Sequence, residues 1–336
     1  MTQPPAGQHR DPLAGSAVAL PEGDRPIPGP IAVLPVPVPE FDDAIVAAGG
    51  VPAALSEETR GVVWFSPNRP AELLEILRTH PGIGWVQLPW AGVDGYREVF
   101  AAFVGTNRPL WTSAKSLFSQ PVAEHALALT LATLRRLPHK SRATSWAPAK
   151  EGLSLYALNV VIVGAGGIAA ELLRLLAPFR VTTTIVRRSG EPLPGADRTV
   201  TSDQLLSVLP DADVVIIAAA STAKTKHLIG AAELAALRPT AVLVNVARGA
   251  LVHTDALVDA LREERIYGAG LDVTDPEPLP AGHPLWNEPL CIVTSHTADT
   301  PEMNAPLLAE RIRLNTAALV SGDGRFVGIV DTEEGY

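Results

Sequence analysis

Three ionisable side chains each follow an apolar run in the last third of this 336-residue chain: Arg248 after AVLVNVA, Glu277 after GAGLDVTDP, and His296 after CIVTS. A planar guanidinium can hold a carboxylate through two parallel hydrogen bonds. An imidazole can give a proton to a carbonyl oxygen, and a carboxylate can orient that imidazole and favour its charged form. Together they describe the reduction of a carbonyl that sits beside a carboxylate. Any one of them alone is ordinary at the end of a strand; their placement after three successive apolar runs is what points to chemistry.

Such a reduction needs a hydride donor, and the chain offers a place for one. Gly164-Ala165-Gly166-Gly167-Ile168-Ala169 follows the apolar run NVVIV and opens the helical stretch AAELLRLL, which Pro178 ends. That is the context a dinucleotide fingerprint requires. Gly164 permits a tight turn, Gly166 lets the backbone approach a pyrophosphate, the small Ala169 lets helix and strand pack closely, and the helix N-terminus turns its N–H groups to the anion. At the end of the next strand an NAD site places an acid against the ribose 2′-hydroxyl. Here Arg187, Arg188 and Ser189 follow Val186 with no acid among them. Two cations suit a 2′-phosphate, so NADP is favoured over NAD, the alternative being a solvated basic corner.

These residues act together only if a sheet edge gathers them. NVVIV, RVTTTIV, DVVIIAA, AVLVNV, YGAGLDV and CIVTS read as strands buried on both faces, and the helical stretches between most of them imply right-handed crossovers onto a parallel sheet. Ligands bind beyond the carboxyl edge of such a sheet. A helix predicted over Pro121 to Leu137, with Leu127, Leu131 and Leu134 on one face, follows the Ser-rich SAKSLFSQ and opens this domain. Upstream, IAVLPV, VVWF, AELLEILRTH and WVQL form a second α/β unit from Ile31 on. Pro301 to Val320 reads as a helix that returns the chain to that first unit. Residues 1–28, rich in Pro and Gly, read as a flexible tail.

From about Trp85 to Val320 the chain resembles the D-isomer-specific 2-hydroxyacid dehydrogenases, a family that includes glyoxylate and hydroxypyruvate reductases and phosphoglycerate dehydrogenases. The likeness runs in order through LPWAGVD, VAEHALALTLATLRR, VGAGGIA, NVARGALVHTDALVDAL, GAGLDVTDPEPLPAGHPLW and TSHTAD. The intervals from Arg248 to Glu277 and on to His296 are similar to the family's Arg, Glu and His pattern. The resemblance makes Arg248 the anchor of the substrate carboxylate, His296 the acid/base and Glu277 its partner. Asp272 would hold the nicotinamide carboxamide. Gly164, Gly166, Gly167, Ile168, Arg187, Arg188, Ser189, Ala220, Thr225, Val246, Ala247 and His296 would line the cofactor. The amides of Ala91 and Gly92 would touch the substrate carboxylate, with Leu88 and Trp90 shaping the pocket.

The implied fold is α/β with two doubly wound domains: a Rossmann-type cofactor domain (119–296) inserted in a smaller flavodoxin-like substrate domain (29–118 plus 297–336). A cleft that closes on substrate and a homodimer joined through the cofactor domain are implied as well. The chain departs from the family at Gly167, where a bulkier residue is usual, at Asp299, often Gly, and at His253, often Asp. Ala219-Ala220-Ser221-Thr222 replaces a more usual PLT pattern. The activity expected is NADPH-favouring reduction of a small 2-oxo acid, of glyoxylate or hydroxypyruvate type, to the D-2-hydroxy acid. Formate oxidation fits less, since those enzymes resemble this pattern with Gln in place of Glu277. The alternatives are a phosphite-type dehydrogenase and a corepressor-like, cofactor-sensing protein with little turnover.

Composition narrows the partners. Lys and Arg number 27 against 36 Asp and Glu, a net charge of −9 that repels phosphate backbones and anionic lipid. Neither nucleic acid nor membrane is an expected partner. Cys291 is the only cysteine, so no intrachain disulfide or CxxC pair can form, which suits the cytoplasm. Ala17 to Leu20 is too short for a signal-peptide core, and runs such as Val214 to Ala220 fall short of the roughly 18 residues of a membrane span. No HExxH pair occurs, and His125, His139, His227, His253 and His283 are scattered, so no metal is expected. Trp111, Trp146 and Trp286 read as core or interface anchors.

Overall fold

Runs of Val and Ile without polar alternation become the central strands, because a strand covered by helices on both faces has no face left for polar side chains. The computed structural model describes residues 17–66, 68–105, 109–146 and 150–332. In chain order the strands are β1 (Val18–Ala19), β2 (Ile31–Leu34), β3 (Gly61–Trp64), β4 (Trp85–Gln87), β5 (Leu110–Thr112), β6 (Asn159–Val163), β7 (Thr182–Arg187), β8 (Arg198–Thr201), β9 (Val214–Ile217), β10 (Val242–Asn245), β11 (Gly268–Leu271), β12 (Cys291–Val293) and β13 (Arg325–Phe326). The helices are α1 (Pro39–Ala47), α2 (Pro70–Thr79), α3 (Arg97–Ala101), α4 (Ser119–Leu134), α5 (Leu137–Ser141), α6 (Gly167–Leu176), α7 (Leu205–Val208), α8 (Ala231–Ala236), α9 (Thr254–Arg262) and α10 (Pro301–Ser321). Two units result, Met1–Phe118 with Thr300–Tyr336, and Ser119–Asp299. Among the described residues no helix is long and apolar enough to cross a membrane.

In the first unit β2, β3, β4 and β5 form a parallel sheet in that order. Pro52 adds one parallel bridge to Ile31 on the far side of β2, flanked by bonds from Ile31 N–H to the Val51 carbonyl and from Ala53 N–H to the Ile31 carbonyl. Proline has no N–H with which to extend a ladder, so this edge stays one bridge long. With it the order is the doubly wound 2-1-3-4-5 of flavodoxin-like sheets. Trp64, Leu73, Val86, Leu88, Tyr96 and Trp111 fill one core. α10 belongs to the same unit and buries Arg311 and Asn315, together with Asn304 and Thr316. Arg311 donates to the Ser113 and Lys115 carbonyls, and Asn315 binds the Gln87 side chain and the Val327 backbone. Burial pushes Arg311 down to about 10, which leaves it charged at neutral pH.

Of the tail expected over 1–28, residues 1–16 lie outside the described residues. The rest departs from the expectation: β1 pairs antiparallel with β13, and Arg25 donates to the Leu20 and Gly322 carbonyls. Composition registers the prolines and glycines but not a partner strand near the other end of the chain.

The second unit is a seven-stranded parallel sheet in the order β12-β11-β10-β9-β6-β7-β8. β9, β10 and β11 are buried along their whole length; each Val, Leu or Ile so enclosed contributes roughly 1.5–3 kcal/mol. The edge strand β8, RTVT, has no apolar run to announce it. The buried face of α4 also differs from the expectation. Leu134 is buried as expected, but Leu127 and Leu131 are only half-buried, whereas Val122, Ala126, Leu129, Thr130 and Thr133 are buried. The reason lies in the partner strand: a Cβ at Gly270 would stand 2.9 Å from Leu129 Cβ, and one at Gly268 would stand 2.8 Å from Thr133 Cγ2. Two glycines in β11 thus let the helix settle on its smaller side chains. The return at 297 falls slightly later, because the N–H groups of Thr297 and Ala298 still bind Asp272 of this unit.

Candidate active site

The chain leaves β6 toward β7 on one side and later returns to β9 on the other, the arrangement that opens a crevice at the carboxyl ends of a doubly wound sheet. Gly164 N–H donates to the Val186 carbonyl at 2.8 Å, and Ala218 N–H to the Val163 carbonyl at 2.8 Å, tying the three strand ends together. Gly164 has φ +118°, and a Cβ there would collide with the Ala218 carbonyl, so the turn admits only glycine. Around Gly166 nothing lies within 4 Å of where a Cβ would stand. α6 begins at Gly167 with no side-chain cap and no acid in its first turn. An open backbone leading into uncapped N–H groups fits a dinucleotide pyrophosphate. Ala169 is fully buried against the sheet, and Gly167 and Ile168 are half-buried.

β10 ends at Asn245, whose buried amide folds over the turn that follows. Its Oδ1 accepts from Ala247 N–H at 3.0 Å and its Nδ2 donates to the Arg248 carbonyl at 2.9 Å. Val246 and Ala247 are buried, and Arg248 is half-buried with one guanidinium N–H on the Ala247 carbonyl at 2.8 Å. A Cβ at Gly249 would collide with the Thr274 carbonyl, in the loop that carries Glu277. Gly249→Ala is therefore expected to displace that loop at an overpacking cost of roughly 1–3 kcal/mol. A lower thermal unfolding midpoint together with reduced activity would show it.

β11 and β12 are the next strands along, so Arg248, Glu277 and His296 lie beyond the carboxyl ends of three adjacent strands. His296 Nδ1 and Glu277 Oε1 are 2.6 Å apart, both side chains partly exposed. An ionised carboxylate can only accept, so Nδ1 carries the shared proton and Nε2 is the nitrogen left for acid–base work. Beyond Glu277, Trp286 Nε1 donates to the Pro280 carbonyl and His283 Nδ1 accepts from Leu285 N–H, closing the loop on itself.

Ser295 and His296 both hold left-handed backbone conformations, with φ 53° and 56°, a strain of order 1–3 kcal/mol for each non-glycine residue. Asp272 holds them there. Its carbonyl accepts from His296 N–H at 2.6 Å, its Oδ1 from the Thr294 hydroxyl at 2.6 Å and Thr297 N–H at 2.8 Å, and its Oδ2 from Ala298 N–H at 3.1 Å. The residue is 1% exposed. Burial pushes its carboxyl up, but bonds from His125, Thr294 and Thr297 outweigh burial and hold it below the ordinary carboxylate value. Because the folded value is depressed, the stability this group contributes is complete above the unfolded value and is lost as pH falls through the folded one.

At the corner beyond β7, Arg187 donates to the Glu191 carbonyl at 3.1 Å and lies 3.7 Å from the Glu191 carboxylate; Arg188 is exposed and Ser189 half-buried. The Thr225 hydroxyl donates to the Ala220 carbonyl at 2.8 Å and accepts from Thr222 N–H at 2.8 Å, so it is used within its own loop. His253, where the family often has Asp, caps α9 by accepting from Ala256 N–H, work an Asp also does, and its ring lies 4.6 Å from that of His227. In the first unit Leu88 is fully buried within the core. Trp90 is half-buried with its ring 6.3 Å from that of Phe118, and its carbonyl accepts from Ala114 N–H. Ala91 is exposed and Gly92 half-buried.

A family model for the D-isomer specific 2-hydroxyacid dehydrogenase NAD binding domain matches residues 126–298. That is just over half of the chain and contains the glycine turn, Arg248, Glu277 and His296. The chain belongs to this family. It is thus an NAD(P)-dependent oxidoreductase. This dehydrogenase is 35% identical over 302 residues, 88% of its chain and 97% of the relative, to a Corynebacterium melassecola protein named "Uncharacterized protein in proB 3'region". It is 28% identical over 303 residues, 88% of its chain and 85% of the relative, to the human glyoxylate reductase/hydroxypyruvate reductase. Among solved structures, the D-isomer specific 2-hydroxyacid dehydrogenase of Xanthobacter autotrophicus Py2, in complex with NADPH and MES, superposes with a TM-score of 0.76 at 26% identity, covering 92% of this chain and 100% of that one. Asn245 and His125 were not singled out as functional from sequence. Their only signal was their position inside the runs NVARG and VAEHALAL.

Proposed function

We propose that this dehydrogenase reduces a small 2-oxo acid of glyoxylate or hydroxypyruvate type to the D-2-hydroxy acid, with NADPH favoured over NADH. The observation that carries the reading is the 2.6 Å contact between His296 and Glu277, one strand along the sheet edge from Arg248. In it Arg248 binds the substrate carboxylate. His296 passes the Nε2 proton to the carbonyl oxygen while Glu277 keeps Nδ1 protonated and offsets the imidazolium charge. The nicotinamide, when bound, supplies the hydride. Cofactor binding falls to the 119–299 unit: Gly164, Gly166, Gly167 and Ile168 at the pyrophosphate, Val246 and Ala247 beneath Arg248, and Asp272 toward the carboxamide. Named relatives that reduce glyoxylate or hydroxypyruvate, and the NADPH complex of the Xanthobacter protein, support the assignment. Asp299, a carboxylate directly after the His296 loop, disfavours doubly charged substrates. We further propose a cytoplasmic homodimer, for which sedimentation equilibrium is the direct test of assembly.

The test of the reaction is initial rates of NADPH and NADH oxidation with glyoxylate, hydroxypyruvate, pyruvate and larger 2-oxo acids. Turnover with NADPH is expected on glyoxylate and hydroxypyruvate; cofactor binding with no turnover on any acid would instead support the cofactor-sensing reading. Arg187 and Arg188 carry the cofactor preference. Charge-assisted hydrogen bonds are worth about 1.5–3 kcal/mol, so Arg188→Ala is expected to raise the KM for NADPH by roughly 10- to 100-fold and to leave that for NADH nearly unchanged. Equal losses for both cofactors would show that the corner is only solvated.

A further inference from the structure

We propose that His125 is a positioning residue for the His296 loop: its Nε2–H holds the Thr294 hydroxyl toward Asp272 and keeps that carboxylate the acceptor that pins the left-handed turn at Ser295 and His296. Thr294 Oγ1 lies 2.6 Å from Asp272 Oδ1 and 2.9 Å from His125 Nε2. An ionised carboxylate has no proton to give, so the single hydroxyl proton goes to Asp272 and Thr294 Oγ1 must accept from His125. The network therefore fixes the imidazole with its proton on Nε2. The same nitrogen stands 3.4 Å from Asp272 Oδ1.

Placement follows from register. His125, Leu129 and Thr133 recur every four residues along α4, a rise of about 6 Å per step, while Asp272, Gly270 and Gly268 recur every two residues along β11 and its end, about 6.6 Å per step. Leu129 rests on Gly270 and Thr133 on Gly268, so the next step sets His125 on Asp272. The glycines of β11 thus decide which helix residue reaches the loop. Every link from there to His296 is backbone or buried: the Asp272 carboxylate takes Thr297 and Ala298 N–H, and its carbonyl takes His296 N–H. Two strained residues stay in place only while those bonds over-determine them. Among the described residues His125 makes no hydrogen bond to Glu277 or His296 of its own, so it acts through Thr294 and Asp272.

The role in turnover rests on the proposed reduction, so the experiment has two arms. In the first, the holoenzyme with NADPH and glyoxylate compares His125→Leu, His125→Gln and Thr294→Val. A misplaced acid costs up to about 100-fold, so His125→Leu and Thr294→Val are expected to lower kcat by about 10- to 100-fold, well beyond any change in the NADPH dissociation constant. The Gln amide, which can donate at the same reach, restores most of the rate. In the second arm, histidine-labelled protein gives ring nitrogen–proton NMR correlations, with the His296 signals assigned by their loss in His296→Ala. They are expected to move in His125→Leu and to return in His125→Gln. His296 signals and kcat that are both untouched by His125→Leu, or a Gln variant as impaired as Leu, would overturn the proposal; Thr294→Val decides in the same way if His125→Leu does not fold. Shifted His296 signals in a protein that turns over no 2-oxo acid would uphold the positioning role and remove the assigned reaction.

Discussion

His296→Ala is expected to lower kcat for 2-oxo acid reduction by on the order of 10²- to 10⁴-fold, the range associated with losing a positioned general acid. Cofactor affinity, set largely at the glycine turn and the Arg187–Arg188 corner, should change little. The pH behaviour follows from the direction of proton flow. Reduction consumes a proton held on Nε2, so its rate falls as pH rises, while oxidation of the 2-hydroxy acid needs the neutral ring and rises. Glu277→Gln keeps the shape of the partner 2.6 Å from Nδ1 but removes the charge that orients the ring for proton transfer, so reduction should slow with the cofactor dissociation constant unchanged. An undiminished rate in His296→Ala would falsify the mechanism outright.

Arg248→Gln should damage the enzyme differently. Removing one member of a desolvated charge pair costs about 2–5 kcal/mol, equivalent to roughly 30- to several-thousand-fold in kcat/KM. The loss should fall on substrate KM at least as much as on kcat. Arg248→Lys keeps the charge but not the planar fork, so it should recover only part of the loss. Steady-state kinetics with glyoxylate separate these outcomes, and an unchanged KM in both variants would remove Arg248 from substrate binding. Asn245 predicts a related but smaller effect, since its amide shapes the turn that presents Arg248.

The sequence by itself determined the elements that repeat a simple local rule. Apolar runs without alternation could only be strands enclosed on both faces, and the order of strand and helix around Gly164 could only serve a parallel sheet with a ligand at its carboxyl edge. Arg248 and His296 were legible for the same reason, each being the first charged or titratable group beyond such a run, and Glu277 lies a few residues past another, after Asp272 and Asp275.

Tertiary structure alone decided what depends on partners far away in the chain. β1 is stabilised by β13, which no local composition signals. The face of α4 that is buried was set by Gly268 and Gly270 in a strand more than a hundred residues later, because close approach is permitted where a side chain is missing. That choice placed His125 on Asp272, and Asp272 in turn fixed a strained turn whose φ values no propensity would have suggested. Leu88 was drawn into the core for a like reason, since its neighbours across the sheet, not its own motif, set its exposure. Periodicity is written in each segment, whereas register and enclosure exist only between segments, and the orientation of His296 belongs to the second kind.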